Sequence, residues 1–232
     1  MLFRSGRKLL KTRQSIWPVF GVGLAQADDT LLTIKAVDED DTTPYSSATL
    51  TLRRHERMES DGEIQVPISD VIRIASGGNH AIMATESALL RLDPKDPVQT
   101  TLRLIDLSQK RVSGKREVTG GAVTGLEMVD SGRTGAIAFE DGTLQFGEVA
   151  STDEWPSHRT AGKIVALTTH ETTLRLGVLC EDRWVQVWDI KSKQVTKQLR
   201  LAKEGRSISF SPSGNQLAVG HRDGSISVHS LR

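Results

Sequence analysis

The chain has 232 residues, with 30 basic against 29 acidic side chains and a formal charge of +1, both signs interspersed, so nothing marks it for a nucleic-acid partner. Its single cysteine, Cys180, excludes an internal disulfide and any cysteine-built metal framework, and a lone thiol points to a reducing, cytoplasmic compartment. No apolar run approaches the roughly 20 residues a membrane-spanning helix needs, so no membrane partner is expected.

Residues 1–27 contain no acidic side chain but carry Arg4, Arg7, Lys8, Lys11 and Arg13, then a short apolar run from Ile16 to Leu24, then Ala25-Gln26-Ala27. That is the outline of an export signal cleaved after Ala27. The alternative makes Val19 to Leu24 a first β-strand and leaves 1–17 as a basic segment ahead of it. The run contains Pro18 and two glycines and falls in register with a repeat in the rest of the chain, which favours the strand.

Five segments share one pattern: a short apolar strand, a polar turn of Asp, Gly, Ser or Asn, and a second apolar strand. The first strands carry Val22, Val71, Leu126, Ile164 and Ile208; the second carry Leu31, Ala81, Ala136, Leu174 and Leu217. Each reads as a β-hairpin. A third strand is expected at 48–52, 86–92, 140–146, 181–187 and 222–228, and its last apolar residue recurs at steps of 40, 54, 41 and 41. Asp141-Gly142 and Asp223-Gly224 fit two-residue turns of the primed kind, where glycine supplies positive φ, and Asp61-Gly62 is read as a turn too. The long step coincides with Asp93, Pro94 and Lys95, a polar insertion whose prolines cannot join a ladder. Together with the connectors 38–43 and 56–62 it is a candidate docking loop.

Repeats of about 40 to 45 residues built this way are those of propeller blades. From Ile164 onward the chain resembles the WD-repeat family. Asp182, then Trp188-Asp189, sit as in its Trp-Asp ending, and Asp223-Gly224 with Ser225 to Val228 repeats the third strand one blade later. The earlier blades are degenerate: none begins with Gly-His, and only Trp188-Asp189 carries the Trp-Asp pair, so the family's His-Asp-Trp hydrogen-bond network is incomplete. The resemblance implies an all-β propeller of about five visible blades, near 18–66, 67–118, 119–160, 161–203 and 204–232. It implies a ring closed by an N-terminal strand, for which residues 7–11 are a candidate, or else an incomplete ring whose exposed edges need further blades or a second copy.

Chemistry is sparse. The six histidines lack metal-ligand spacing, no phosphate-binding glycine loop occurs, and Gly120-Gly121 with Gly125 lacks the strand-to-helix setting of a dinucleotide site. No catalytic, cofactor or metal residue is assigned. Cys180 lies in an apolar strand and reads as a buried, unreactive thiol. Trp184 and Trp188 fit packing between blades, whereas Trp17 and Trp155 lie in connectors and are candidates for exposed anchors. The basic run from Lys191 to Arg206 fits an outer, charged strand. These features point to a non-catalytic scaffold for protein partners, with no cofactor. The alternatives are an exported sugar- or ligand-binding propeller, or a propeller glycoside hydrolase, which needs paired carboxylates at the centre of the ring.

Overall fold

In a computed structural model of the chain, the described residues are 19–25, 30–37, 47–54, 60–67, 71–77, 79–86 and 98–232. They form nineteen β-strands in five antiparallel sheets, and no helix. The first sheet runs β1 (Val19–Ala25), β2 (Thr30–Val37), β3 (Ser47–Arg54) and β4 (Ser60–Pro67); the second runs β5 (Val71–Gly77), β6 (His80–Glu86), β7 (Val98–Asp106) and β8 (Arg111–Gly120). The third holds β9 (Val123–Val129), β10 (Thr134–Phe139), β11 (Thr143–Glu148) and the short β12 (Ser157–Arg159). The fourth holds β13 (Ile164–His170), β14 (Arg175–Cys180), β15 (Trp184–Asp189) and β16 (Gln194–Arg200); the fifth has β17 (Gly205–Phe210), β18 (Gln216–His221) and β19 (Ile226–Ser230). Residues 1–18, with Trp17 and the candidate closing strand 7–11, lie outside the described residues, as do Asp93, Pro94 and Lys95.

Every sheet is a meander in chain order, and the first strands pack against one another as β1, β5, β9, β13 and β17. First strands therefore converge on an axis and later strands splay outward, the geometry of propeller blades. A sheet buried on both faces needs apolar side chains at successive positions. The second strands supply them: in β14, Leu176, Val178 and Cys180 point one way and Gly177 and Leu179 the other, and all five are buried. The core consequently lies between sheets. One cluster joins the second and third (Ile82, Ala84, Leu102 with Val123, Ile137, Phe139), another the third and fourth (Ala138, Leu144, Phe146 with Ile164, Val178, Trp188), another the fourth and fifth (Leu179, Val185, Val187 with Leu217, Val219). Outer strands take the polar residues: β16 is exposed or half-buried throughout.

The third strand of the second sheet corrects the sequence reading. It is Val98–Asp106, not 86–92; Glu86 closes β6 and pairs with Thr100. Both stretches alternate apolar and polar residues. The fit at 86–92 copies the turn lengths of later blades, but Val98–Asp106 pairs along its whole length with β8 on one side and from Thr100 to Asp106 with β6 on the other. Taking the third-strand residue opposite the start of the second strand, the sheets are marked by Arg54, Asp106, Glu148, Asp189 and Ser230. The steps become 52, 42, 41 and 41, so the irregular one falls between the first and second sheets.

The turns need two corrections. Asp61 and Gly62 are not a turn but residues of β4. At Asp141 and Asp223 only the following glycine has positive φ, 85° at Gly142 and 84° at Gly224. Their N–H groups donate to Phe139 O and His221 O, both at 3.1 Å, so each glycine is the last residue of a four-residue turn and not half of a primed pair. A primed turn does occur at Ser131-Gly132, where both φ values are positive and Arg133 N donates to Asp130 O at 3.0 Å.

Candidate interaction surface

The repeat-motif residues hold turns. Asp141 accepts from Thr143 N at 2.8 Å and Thr143 Oγ1 at 2.9 Å, and Asp223 accepts from Ser225 N at 3.0 Å and Ser225 Oγ at 2.6 Å. Asp182 precedes Arg183, which takes the glycine's place with φ 64°. Asp189 accepts from Ser192 N at 2.7 Å and Ser192 Oγ at 2.8 Å, bonds that hold its carboxyl below the usual range. Asp106 does the same with Gln109 N at 2.9 Å and Ser108 Oγ at 2.6 Å, which marks it as the second blade's counterpart of Asp189. That shared Asx turn is a usable sequence signal, hidden by the misplaced third strand.

Trp188 lies in the core between the third and fourth sheets, 6.0 Å from the Phe146 ring and 5.1 Å from His158, which stacks on Phe146 at 4.8 Å. Its Nε1 finds no acceptor among the described residues. Burial, with Lys193 nearby, lowers the pKa of His158 and favours the neutral ring that stacking suits. Cys180 is fully buried, and burial pushes its thiol pKa up. Glu127 on β9 faces the fourth sheet, and burial pushes its carboxyl up to about 7 against the opposing hydrogen bond from Thr169.

Trp155 is not an exposed anchor. It is 7% exposed and packed between the second and third sheets, where its Nε1 donates to Glu148 O at 3.1 Å and the Arg116 guanidinium lies 5.1 Å from the ring centre. Gly135 and Gly147, paired across β10 and β11, make its room: a Cβ on either would approach the indole to 2.5 or 2.6 Å. Among the described residues Trp184 is the tryptophan that reaches the surface, half-buried with Arg200 5.3 Å from its ring centre, beside an open groove of about 590 Å³ that Arg183 and Lys203 also line. Charges of both signs meet there, since Glu181, Asp182 and Glu204 line it too.

The fifth sheet carries the larger feature. Register equates Ile226 with Val185 and Val228 with Val187, because they pair with Gly220 and Ala218 as the valines pair with Leu179 and Gly177. Val185 and Val187 are 0% and 1% exposed, covered by the fifth sheet; Ile226 and Val228 are 73% and 61% exposed. The side of the fifth sheet that corresponds to a blade-to-blade interface is thus an apolar surface open to solvent. Covering an aliphatic side chain fully is worth roughly 1.5–3 kcal/mol, so two adjacent ones form a site with binding energy available.

No family model matches the chain. Over 51 residues, 22% of this chain, it is 35% identical to THO complex subunit 3 of Arabidopsis thaliana, of which that stretch covers 16%. In fold it is similar to the Dos1 propeller, with a TM-score of 0.69 over 93% of this chain at 11% identity. The chain spans 56% of that propeller's length and a smaller share of the curated relative's. Meander sheets stacked by their first strands and the likeness to a solved propeller agree: the chain has a β-propeller fold, and its Trp-Asp blade resembles WD repeats.

Proposed function

We propose that the protein is a non-catalytic scaffold that binds protein partners in a reducing, cytoplasmic setting. The observation that carries this reading is the exposure of Ile226 and Val228 at positions where the preceding blade buries Val185 and Val187. Surface of that kind loses free energy in water and gains it against another protein surface. The lone buried thiol of Cys180 supports the compartment, and the near-balanced charge supports a protein partner over a polyanion.

The test is comparative affinity capture with the full chain and an Ile226→Ser, Val228→Ser variant whose circular dichroism and melting match the parent. Proteins retained by the parent and lost by the variant are the expected result. An identical retained set would defeat the assignment of this surface.

A further inference from the structure

We infer that the outer strand of the fourth sheet, β16, is a docking edge for an acidic, extended peptide segment of a partner protein. This rests on the scaffold reading, names a partner class, and places it on a surface other than Ile226 and Val228.

Residues 191–203 carry Lys191, Lys193, Lys197, Arg200 and Lys203 and no acidic side chain. Among the described residues, only Lys203 of the five forms an ion pair, 2.7 Å from Asp223. The Lys197 ammonium donates to the backbone oxygens of Ser230 and Arg232 at 3.1 and 3.0 Å, and the Arg200 guanidinium lies against the Trp184 ring. Lys191 lies near Asp189, whose carboxylate already accepts from Ser192. The strand and its flanks therefore present positive charge that the fold leaves unneutralised. The other outer strands differ: β4 contains Asp61 and Glu63, β8 pairs Lys115 with Glu117 at 2.8 Å and packs Arg116 over Trp155, and β12 has three residues.

The backbone of β16 is open as well, since it is the end strand of its sheet. Leu201 N donates to Arg183 O at 2.8 Å, and an antiparallel ladder alternates residues that bond the neighbour with residues that point away. Register then turns Leu199 and Lys197 toward Val185 and Val187 of β15, and points the N–H and C=O of Gln198 and Arg200 outward. An extended peptide adds to such an edge through its own N–H and C=O groups. Lysines on an edge keep like-charged strands off it, and the same charges admit a strand of opposite sign. Val195, 39% exposed, adds an aliphatic contact that suits a peptide and has no match in a phosphodiester backbone. The occupant is therefore a strand in which Asp or Glu alternates with β-branched residues.

The probe is a fluorescein-labelled seven-residue peptide of alternating Glu and Val, the length of β16, titrated with the full chain and read by anisotropy. One control has proline for each valine, which keeps the charge and cannot pair. The other is a single-stranded oligonucleotide of equal charge. The alternating peptide should bind, and its affinity should fall about tenfold or more between roughly 0.05 and 0.5 M NaCl. Lys191→Glu with Lys193→Glu, both exposed, should weaken it by about tenfold or more. Gln198→Pro removes an outward N–H and leaves the ladder to β15 in place, so it should weaken the peptide and not the oligonucleotide. If that variant melts below the parent, the proline peptide answers the same question. No binding of the alternating peptide, indifference to the lysine substitutions, or equal binding of the proline peptide overturns the inference. Tighter binding of the oligonucleotide overturns it too, by assigning the patch to nucleic acid. The first three outcomes leave the capture test at Ile226 and Val228, and the scaffold reading with it, standing.

Discussion

β14 and β18 occupy the same place in successive blades, yet they are buried differently. In β14 every residue from Leu176 to Cys180 is buried; in β18 burial alternates, with Leu217, Val219 and His221 buried and Ala218 and Gly220 half-buried between them. The two strands are similar in composition, so the difference lies in what stands on either side: among the described residues the fourth sheet has a neighbouring sheet on both faces, the fifth on one. A blade of this kind is one unit whose second face gains stability only when another sheet arrives, as in other repeat arrays.

The sharpest way to break that comparison is to put a charge on each face. Val187→Asp buries an unpaired carboxylate between the fourth and fifth sheets and should cost about 3–5 kcal/mol in chemical denaturation. Val228→Asp, at the equivalent but open position, should cost under about 0.5 kcal/mol. Similar losses at both positions would mean that the face of the fifth sheet is covered.

Turn glycines extend the comparison at a smaller scale. Gly142→Ala places a Cβ 2.8 Å from Gly162 O, backbone of the next blade, on top of its positive φ, and should cost roughly 2–3 kcal/mol. Gly224→Ala has the same φ but meets nothing within 4 Å, so only the conformational term of about 1 kcal/mol remains. Melting of the two variants side by side isolates the contribution of the neighbouring blade.

A further effect depends on pH. Glu127 sits at a covered interface with its carboxyl raised from 4.5 to about 7, so the folded chain binds more protons than the unfolded chain between those values. Its stabilising contribution is full below about pH 4.5 and is lost as pH rises toward 7. Glu127→Gln should flatten that slope and raise stability at pH 8 by roughly 1–2 kcal/mol, read from denaturation midpoints at pH 5 and pH 8.

The blade pattern is legible because hairpins write it locally: period-two alternation, polar turns and the Asp-Gly steps are short-range features. What the sequence hides is long-range. The 86–92 segment alternates as well as Val98–Asp106 does, and only pairing with both β6 and β8 separates them. Trp155 reads as an exposed anchor because its sequence neighbours are polar, while the room that buries it is made by two glycines on other strands. The exposed face of Ile226 and Val228 cannot be read at all, since the residues in the same register of the fourth blade are core. Aliphatic side chains look identical in sequence whether or not a neighbouring sheet covers them.

Trp155, Gly135 and Gly147 fill one volume between them. If the indole is exchanged for a small residue, the two glycines are released to carry side chains; if either glycine gains one, the indole must go. The three positions can change only in concert, so this blade can drift a long way from the family's consensus while its packing stays whole. A degenerate repeat of this kind records a different division of the same space, and comparing such blades one column at a time will undercount them.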